Sequence, residues 1–178
     1  NMNMKIEPYF QQLYDVPVIA DSSYSVLNRR DFYVENALVN RGKGRNIGVD
    51  ITLERYLNKG LYYMVTASIF DSKYYGGDRK WRNTLYNRNF IINVLGGKEW
   101  MVGRDKQNMF SVNFKITLQG GDRYAPVDEV ATLLDPDREV QYDETKAFSK
   151  QFSPMFITNF SVGYKINRKK VTHEFSIK

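Results

Sequence analysis

Residues 45–74, RNIGVDITLERYLNKGLYYMVTASIFDSKY, decide the fold. Ile47, Val49, Ile51 and Leu53 are apolar at every second position, with Gly48, Asp50, Thr52 and Glu54 between them. Beyond Asn58-Lys59-Gly60 the alternation resumes. Leu61, Tyr63, Val65, Ala67 and Ile69 share one parity, and Tyr62, Met64, Thr66 and Ser68 the other. A period of two is the period of a strand with one apolar and one polar face. The Asn-Lys-Gly link is short enough to return the chain as an antiparallel hairpin, and glycine supplies the positive φ that such turns need.

The same unit recurs on both sides. Met4 to Val18 reads as a strand that weakens toward Pro17, and Pro8 within it suits an edge or a bulge, because proline cannot donate to a ladder. Asp21-Ser22-Ser23 is turn chemistry. Ser25 to Asn28 completes a loop, and Phe32 to Asn40 reads as a weaker strand. Tyr75 to Asn87, with Gly76-Gly77 and several charges, reads as a loop. Asn89 to Val102 is a strand in which Gly96-Gly97 permits a bulge or kink. Met109 to Gln119 has the cleanest pattern: Phe110, Val112, Phe114, Ile116 and Leu118 alternate with Ser111, Asn113, Lys115, Thr117 and Gln119. Asp122 to Ser153 is a long acidic stretch with Pro126 and Pro136, and apolar spacing predicts a short helix near Val127 to Leu134. Phe156 to Ile166 and Val171 to Ile177 alternate again across the polar turn Asn167 to Lys170.

Composition agrees. Of 178 residues, 15% are aromatic and only 5 are proline, usage that fits pleated, half-buried surfaces in one domain. There is no cysteine, which removes disulfides, thiolate metal sites and a cysteine nucleophile. No run of 18 apolar residues exists, so no transmembrane helix is expected. A membrane-spanning strand needs only ~9–11 residues and leaves a weak hydropathy signal. Asn1-Met2-Asn3-Met4 has no apolar h-region, so no signal peptide is read there. Residues 122–144 hold eight acids against Arg123 and Arg138, a net charge of −6, which leaves +12 on the rest. The basic residues are spread over turns and one strand face, so no nucleic-acid partner is expected.

The connections differ in length. Asn58 to Gly60, Gly103 to Lys106 and Asn167 to Lys170 are short, whereas Tyr75 to Asn87 and Asp122 to Ser153 are long. In an antiparallel up-and-down meander of about seven to eight strands, short links share one rim and long links the other. That asymmetry, with strands of about 10 residues, matches part of a transmembrane β-barrel. Asp50, Glu54, Lys115, Gln119 and Asn159 would then face the lumen, and Phe110, Phe114, Phe156 and Phe160 the lipid. Tyr56, Tyr62, Trp100 and Tyr164 would lie at the interfaces. The alternative is a small soluble β-barrel, lipocalin-like in architecture, with the apolar parity packed inward around an apolar ligand. Alternation alone does not separate the two.

A resemblance favours the first. Asn40, Gly42, Gly44, Asn46, Gly48, Val49 and Asp50 form an N-x-G-x-G-x-N-x-G-V-D pattern. The D-S-K-Y and W-R-N segments, Leu95 to Glu99 (LGGKE) and Gly120 to Pro126 (GGDRYAP) follow in order. Together they resemble the C-terminal barrel region of TonB-dependent outer-membrane receptors of the Bacteroidetes type, over most of the chain from about Ile6. The resemblance implies a bacterial outer-membrane location and a part in uptake of metal chelates, vitamins, glycans or peptides. It implies contact with outer-membrane lipid, a TonB-type energy-coupling protein acting through a plug domain, and a surface lipoprotein partner. The family's plug, its many further strands and its terminal aromatic residue are not in this sequence, so the chain is expected to be a piece of such a receptor.

For ligand contact the resemblance points to the long loops and upper lumen, where Tyr74, Tyr75, Trp81, Arg82 and Tyr124 offer rings for stacking and a guanidinium for carboxylates. Other motifs read as structural. Gly42-x-Gly44-x-x-x-Gly48 has the wrong spacing for a dinucleotide fingerprint and opens a strand rather than a helix. His173 is the only histidine and supports neither a zinc site nor a triad. Asp135-x-Asp137 and Asp143-Glu144 lack calcium-loop spacing and read as a solvated acidic loop. Arg168-Lys169-Lys170 reads as a solvated basic turn. No acid/base pair or nucleophile is evident, so no enzyme and no cofactor are expected.

Overall fold

The structure is a computed structural model that describes residues 2–28 and 34–178. Five long strands and two flanking ones make the main sheet. They are β1 (Met2–Ile19), β2 (Leu38–Asn58), β3 (Leu61–Tyr75), β5 (Phe90–Val102), β6 (Asn108–Gln119), β9 (Met155–Asn167) and β10 (Thr172–Ile177), hydrogen-bonded in that order. A short β4 (Trp81–Asn83) pairs with the end of β3, and β7 (Arg123–Tyr124) with β8 (Lys150–Gln151) forms a separate ribbon. The helix α1 (Glu129–Leu134) lies in the long acidic connection, with the Asp128 carboxylate accepting from the Ala131 N–H as its N-cap. Every pairing is antiparallel and the seven strands of the main sheet follow one another in chain order, with β4 and the β7–β8 ribbon in the connections, so the meander is as expected. β1 and β10 are edges, and the sheet is open.

The opening hairpin turns at Lys59 and Gly60, with φ of 51° and 75°. Positive φ at both central residues is the type I′ turn, whose twist matches that of the strands it joins. A Cβ on Gly60 would press into the Glu99 carbonyl oxygen, while the Gly60 carbonyl itself accepts from the Glu99 N–H. Gly60→Ala is therefore expected to cost about 1–3 kcal/mol, from strain at positive φ and from the clash. A matching fall in the urea midpoint of the natural protein checks it, and an unchanged midpoint would refute the turn assignment.

Several expectations differ in detail. The predicted weak strand at Phe32 to Asn40 lies partly outside the described residues; within them only Leu38 to Asn40 is extended, as the start of β2. Tyr75 to Asn87 is not all loop, because Tyr75 still belongs to β3 and Trp81–Asn83 returns beside it. Gly96-Gly97 carries no bulge. The register runs unbroken through both, and the rings of Phe114 and Tyr62 occupy the space above them. Register irregularities fall instead in β1, between Leu13 and Pro17, where Asp15 takes a φ of 54°, and between Arg55 and Asn58 beside the first hairpin turn. Pro8 and Pro17 both lie in this edge strand.

Register decides the faces. Ile6, Ile51, Ala67, Ile92, Leu118 and Phe156 stand opposite one another in a single row across six strands. The adjacent row on that face is Met4, Leu53, Val65, Val94, Ile116 and Thr158. On the other face the corresponding row is Lys5, Thr52, Thr66, Asn93, Thr117 and Ile157. Hydrogen bonds lace this polar face. Thr117 donates to Asn93 (2.8 Å) and Asn93 to Thr66 (3.4 Å). Tyr62 donates to Asn113 (2.8 Å) and Asn113 to Ser161 (3.3 Å). Asn3 donates to Glu54 (3.0 Å).

No second layer covers the apolar face among the described residues. On interior strands Ile47 is 49%, Ile69 55% and Phe160 61% exposed. The buried core lies elsewhere, at the rim where the long connections meet: Val16, Val18, Tyr74, Leu85 and Ala147, with Ser25, Arg82, Thr84 and Asn87.

Candidate functional site

That rim is built by three excursions, residues 20–28, 76–89 and 120–154, over the ends of β1, β2 and β3. Glycines make room for them. A Cβ at Gly44 would meet the side chains of Leu13 and Leu27, and one at Gly48 the ring of Tyr9, so only bare backbone lets these groups lie against β2. Three arginines tie the excursions together. Arg82 makes a bidentate pair with Asp78 (2.8 and 2.6 Å) and reaches the Thr145 carbonyl (3.4 Å). Arg123 donates to the Asn87 carbonyl (2.8 Å) and to Asn89 Oδ1 (2.7 Å). Arg88 pairs with Asp122 (2.7 Å) and donates to Gln119 (3.0 Å). Ser22 donates to Glu144 (3.2 Å), which joins the first excursion to the third.

The five residues expected to touch a ligand divide into three groups. Tyr74 is fully buried and packs edge-on against Phe148 at 6.1 Å between ring centroids. Arg82 is buried in its pair with Asp78. Neither presents surface to a ligand, and both hold the rim together. Tyr75 and Trp81 stand side by side (5.5 Å between rings) on the opposite side of the sheet from Tyr74, continuing its apolar face. Tyr124 remains within reach of the interior, stacked on Phe152 at 4.4 Å.

Tyr124 and Phe152 help line a cavity of about 770 Å³. Its other walls include Tyr24, Asn28, Leu85, Arg123, Tyr142, Glu144 and Phe148. The cavity offers ring faces, hydroxyls, the amides of Asn28 and Asn36, one guanidinium and the carboxylates of Glu35 and Glu144, a mixture suited to a small ligand with both apolar and polar faces. Asn28 Oδ1 accepts from the Leu85 N–H (2.8 Å), and its buried Nδ2 has no hydrogen-bond partner among the described residues. Sequence reasoning missed Tyr24, Tyr142, Phe148 and Phe152. They come from segments more than 100 residues apart, brought together by the Ser22–Glu144 and Asn28–Leu85 contacts with the β7–β8 ribbon and the arginines, so no local spacing marks them.

The acidic residues form loop structure. The Asp135 carboxylate accepts from the Asp137 and Glu139 N–H groups and from Gln141 Nε2, and its pKa is lowered, the Glu139 bond contributing most. The Asp143 carboxyl, held by Lys146 and then by Thr145, is pulled down to about 2. Among the described residues no group of three or more acidic or histidine side chains is placed to hold a metal ion. His173 is an exposed strand residue opposite Ile166, and Arg168 to Lys170 is an exposed turn closed by the Arg168 N–H on the Val171 carbonyl. Comparison with protein-family models, curated proteins and solved structures finds no match.

Proposed function

We propose that this chain is part of the outer-membrane barrel of a nutrient-uptake receptor of the TonB-dependent type. One observation carries the membrane reading: in-register apolar rows run across the strands with nothing over them, backed by a face of hydrogen-bonded polar side chains. Met2 to Phe10, Leu61 to Ile69 and Phe110 to Leu118 each keep the apolar parity over a stretch about 27 Å long, at ~3.4 Å per residue. Tilted as barrel strands are, that suits a hydrocarbon band of roughly 25 Å. Two cations interrupt the face near its lower end, Arg55 in the row of Met2 and Tyr63 and Lys98 in the row of Leu61 and Val112; Lys98 turns its ammonium to the Lys59 carbonyl in the hairpin turn (2.8 Å). The two open edges suit pairing with further strands. The assignment to TonB-dependent receptors rests on the sequence resemblance, and the aromatic cavity at the long-loop rim is the place in this segment for substrate contact.

The absence of cysteine makes a direct test simple. Single cysteines at Ile51, Phe114 and Phe160 and at Thr52, Lys115 and Thr117 are introduced into the natural protein in its own envelope and spin-labelled. The first three are expected to be open to oxygen dissolved in lipid, and the second three to a water-soluble relaxation agent. A soluble protein whose first three labels are shielded from both would sink the proposal in favour of a closed, lipocalin-like barrel.

A further inference from the structure

On the apolar face the character changes abruptly toward the long-loop rim. The row Pro8–Val49–Ile69 is followed by Phe10–Ile47–Asp71, then Gln12–Arg45–Lys73, then Lys43–Tyr75–Trp81. Successive rows on one face are ~7 Å apart along the strand. At this end the cations therefore begin two rows above the last aliphatic pair, Val49–Ile69. The Arg45 guanidinium lies over the Trp81 ring at 5.5 Å, and the Lys43 ammonium lies 6.0 Å from the centre of the Tyr75 ring. Lys73 is paired with Asp71 (3.2 Å), whereas Lys43 and Arg45 have no carboxylate within salt-bridge distance among the described residues. Both are exposed, as is Trp81. The rings fix the two cations on the sheet surface while leaving their outer sides free, and they lower the conformational entropy a binding event would remove.

We propose that Lys43, Arg45, Tyr75 and Trp81 form a docking surface for the phosphate group of a membrane lipid headgroup, next to the long-loop rim. This rests on the membrane reading above, which sets the apolar rows against acyl chains and the Arg45 row at headgroup height. Two unpaired cations match the charge of a phosphate, and guanidinium donors suit its oxygens. The rings above the aliphatic rows suit the interface, where one side of a ring meets hydrocarbon and the other meets water. The short-turn rim lacks this arrangement: Arg168, Lys169 and Lys170 lie in an exposed turn with no ring beneath them among the described residues.

The test uses the full natural protein in phosphatidylcholine bilayers doped with diphosphorylated lipid A, with dephosphorylated lipid A as the control, and counts retained lipid by mass spectrometry. Each basic side chain at an anionic surface is worth roughly fivefold in affinity. The double change Lys43→Gln with Arg45→Gln is then expected to weaken retention of the phosphorylated lipid roughly thirtyfold. Lys43→Arg with Arg45→Lys should restore most of it, and Lys169→Gln with Lys170→Gln should leave it unchanged. Retention of the two lipids alike by the unaltered protein, or an equal loss in the Lys169/Lys170 variant, would overturn the proposal. Displacement by inorganic phosphate would do the same, by marking a site for the free ion. The spin-label pattern at Phe114 and Thr117, read in the same bilayers, separates the two levels. If that pattern holds while the glutamine variant keeps its lipid, the docking surface alone is wrong; if the pattern fails, the membrane reading falls first.

Discussion

Asp78→Ala is expected to destabilise the long-loop rim by about 3–5 kcal/mol, because it strands the Arg82 guanidinium in a buried position without its partner. The Arg82 side chain is 6% exposed and that of Asp78 19%, so solvent screens the pair little. Two short bonds join them, and Arg82 also reaches across to the 120–154 excursion through the Thr145 carbonyl. Loss of the carboxylate should thus loosen two loops together. Limited proteolysis of the natural protein should show new cleavage in 76–89 and 140–150 while the sheet stays intact, and unaltered cleavage would refute the role. Acid should mimic the substitution. The hydrogen bonds from Arg82 hold the Asp78 carboxyl below its usual range, against a smaller opposing effect of burial. A depressed folded-state pKa means that the contribution is complete above the unfolded value of ~3.9. It is lost as pH falls through the lower, folded value. Loop opening is therefore expected only below about pH 4.

The second large effect is expected in the middle of the apolar face. Ile92 lies in the row from Ile6 to Phe156, flanked by Ala67 and Leu118. If that row faces hydrocarbon near mid-depth, Ile92→Arg costs about 2–4 kcal/mol. Asn93, one residue on, points to the other face, where it bonds to Thr66 and Thr117. Asn93→Arg should cost about 1 kcal/mol, the loss of ordinary hydrogen bonds beside water. Folded fraction against urea in lipid vesicles, read from heat-dependent gel migration, gives both numbers. Equal small costs at the two positions would remove the apolar face from the bilayer.

The contrast between neighbours such as Ile92 and Asn93 was legible in the sequence. So were the hairpin at Asn58 to Gly60, the rim asymmetry and the helix before Asp135, which lies at Glu129–Leu134. Each depends on groups close in the chain: a period of two, a turn needing positive φ, and apolar residues at helical spacing. The candidate site was legible only in part. Trp81 and Tyr124 do carry exposed surface, yet Tyr74 and Arg82, chosen for the same chemistry, are buried. A ring or guanidinium in a loop looks the same in sequence whether it meets a ligand or the next loop.

By itself, then, the sequence determined strand periodicity, the antiparallel meander and which residues share a face, because side-chain parity along a strand is a local property. Only the tertiary structure decided that the apolar rows align across six strands with no covering layer among the described residues, that the sheet stays open, and that the buried core gathers at one rim. Register between strands and packing between excursions bring together residues such as Ser22 and Glu144, or Arg82 and Thr145. These contacts span many tens of residues, and their free energy depends on the whole arrangement rather than on any one stretch.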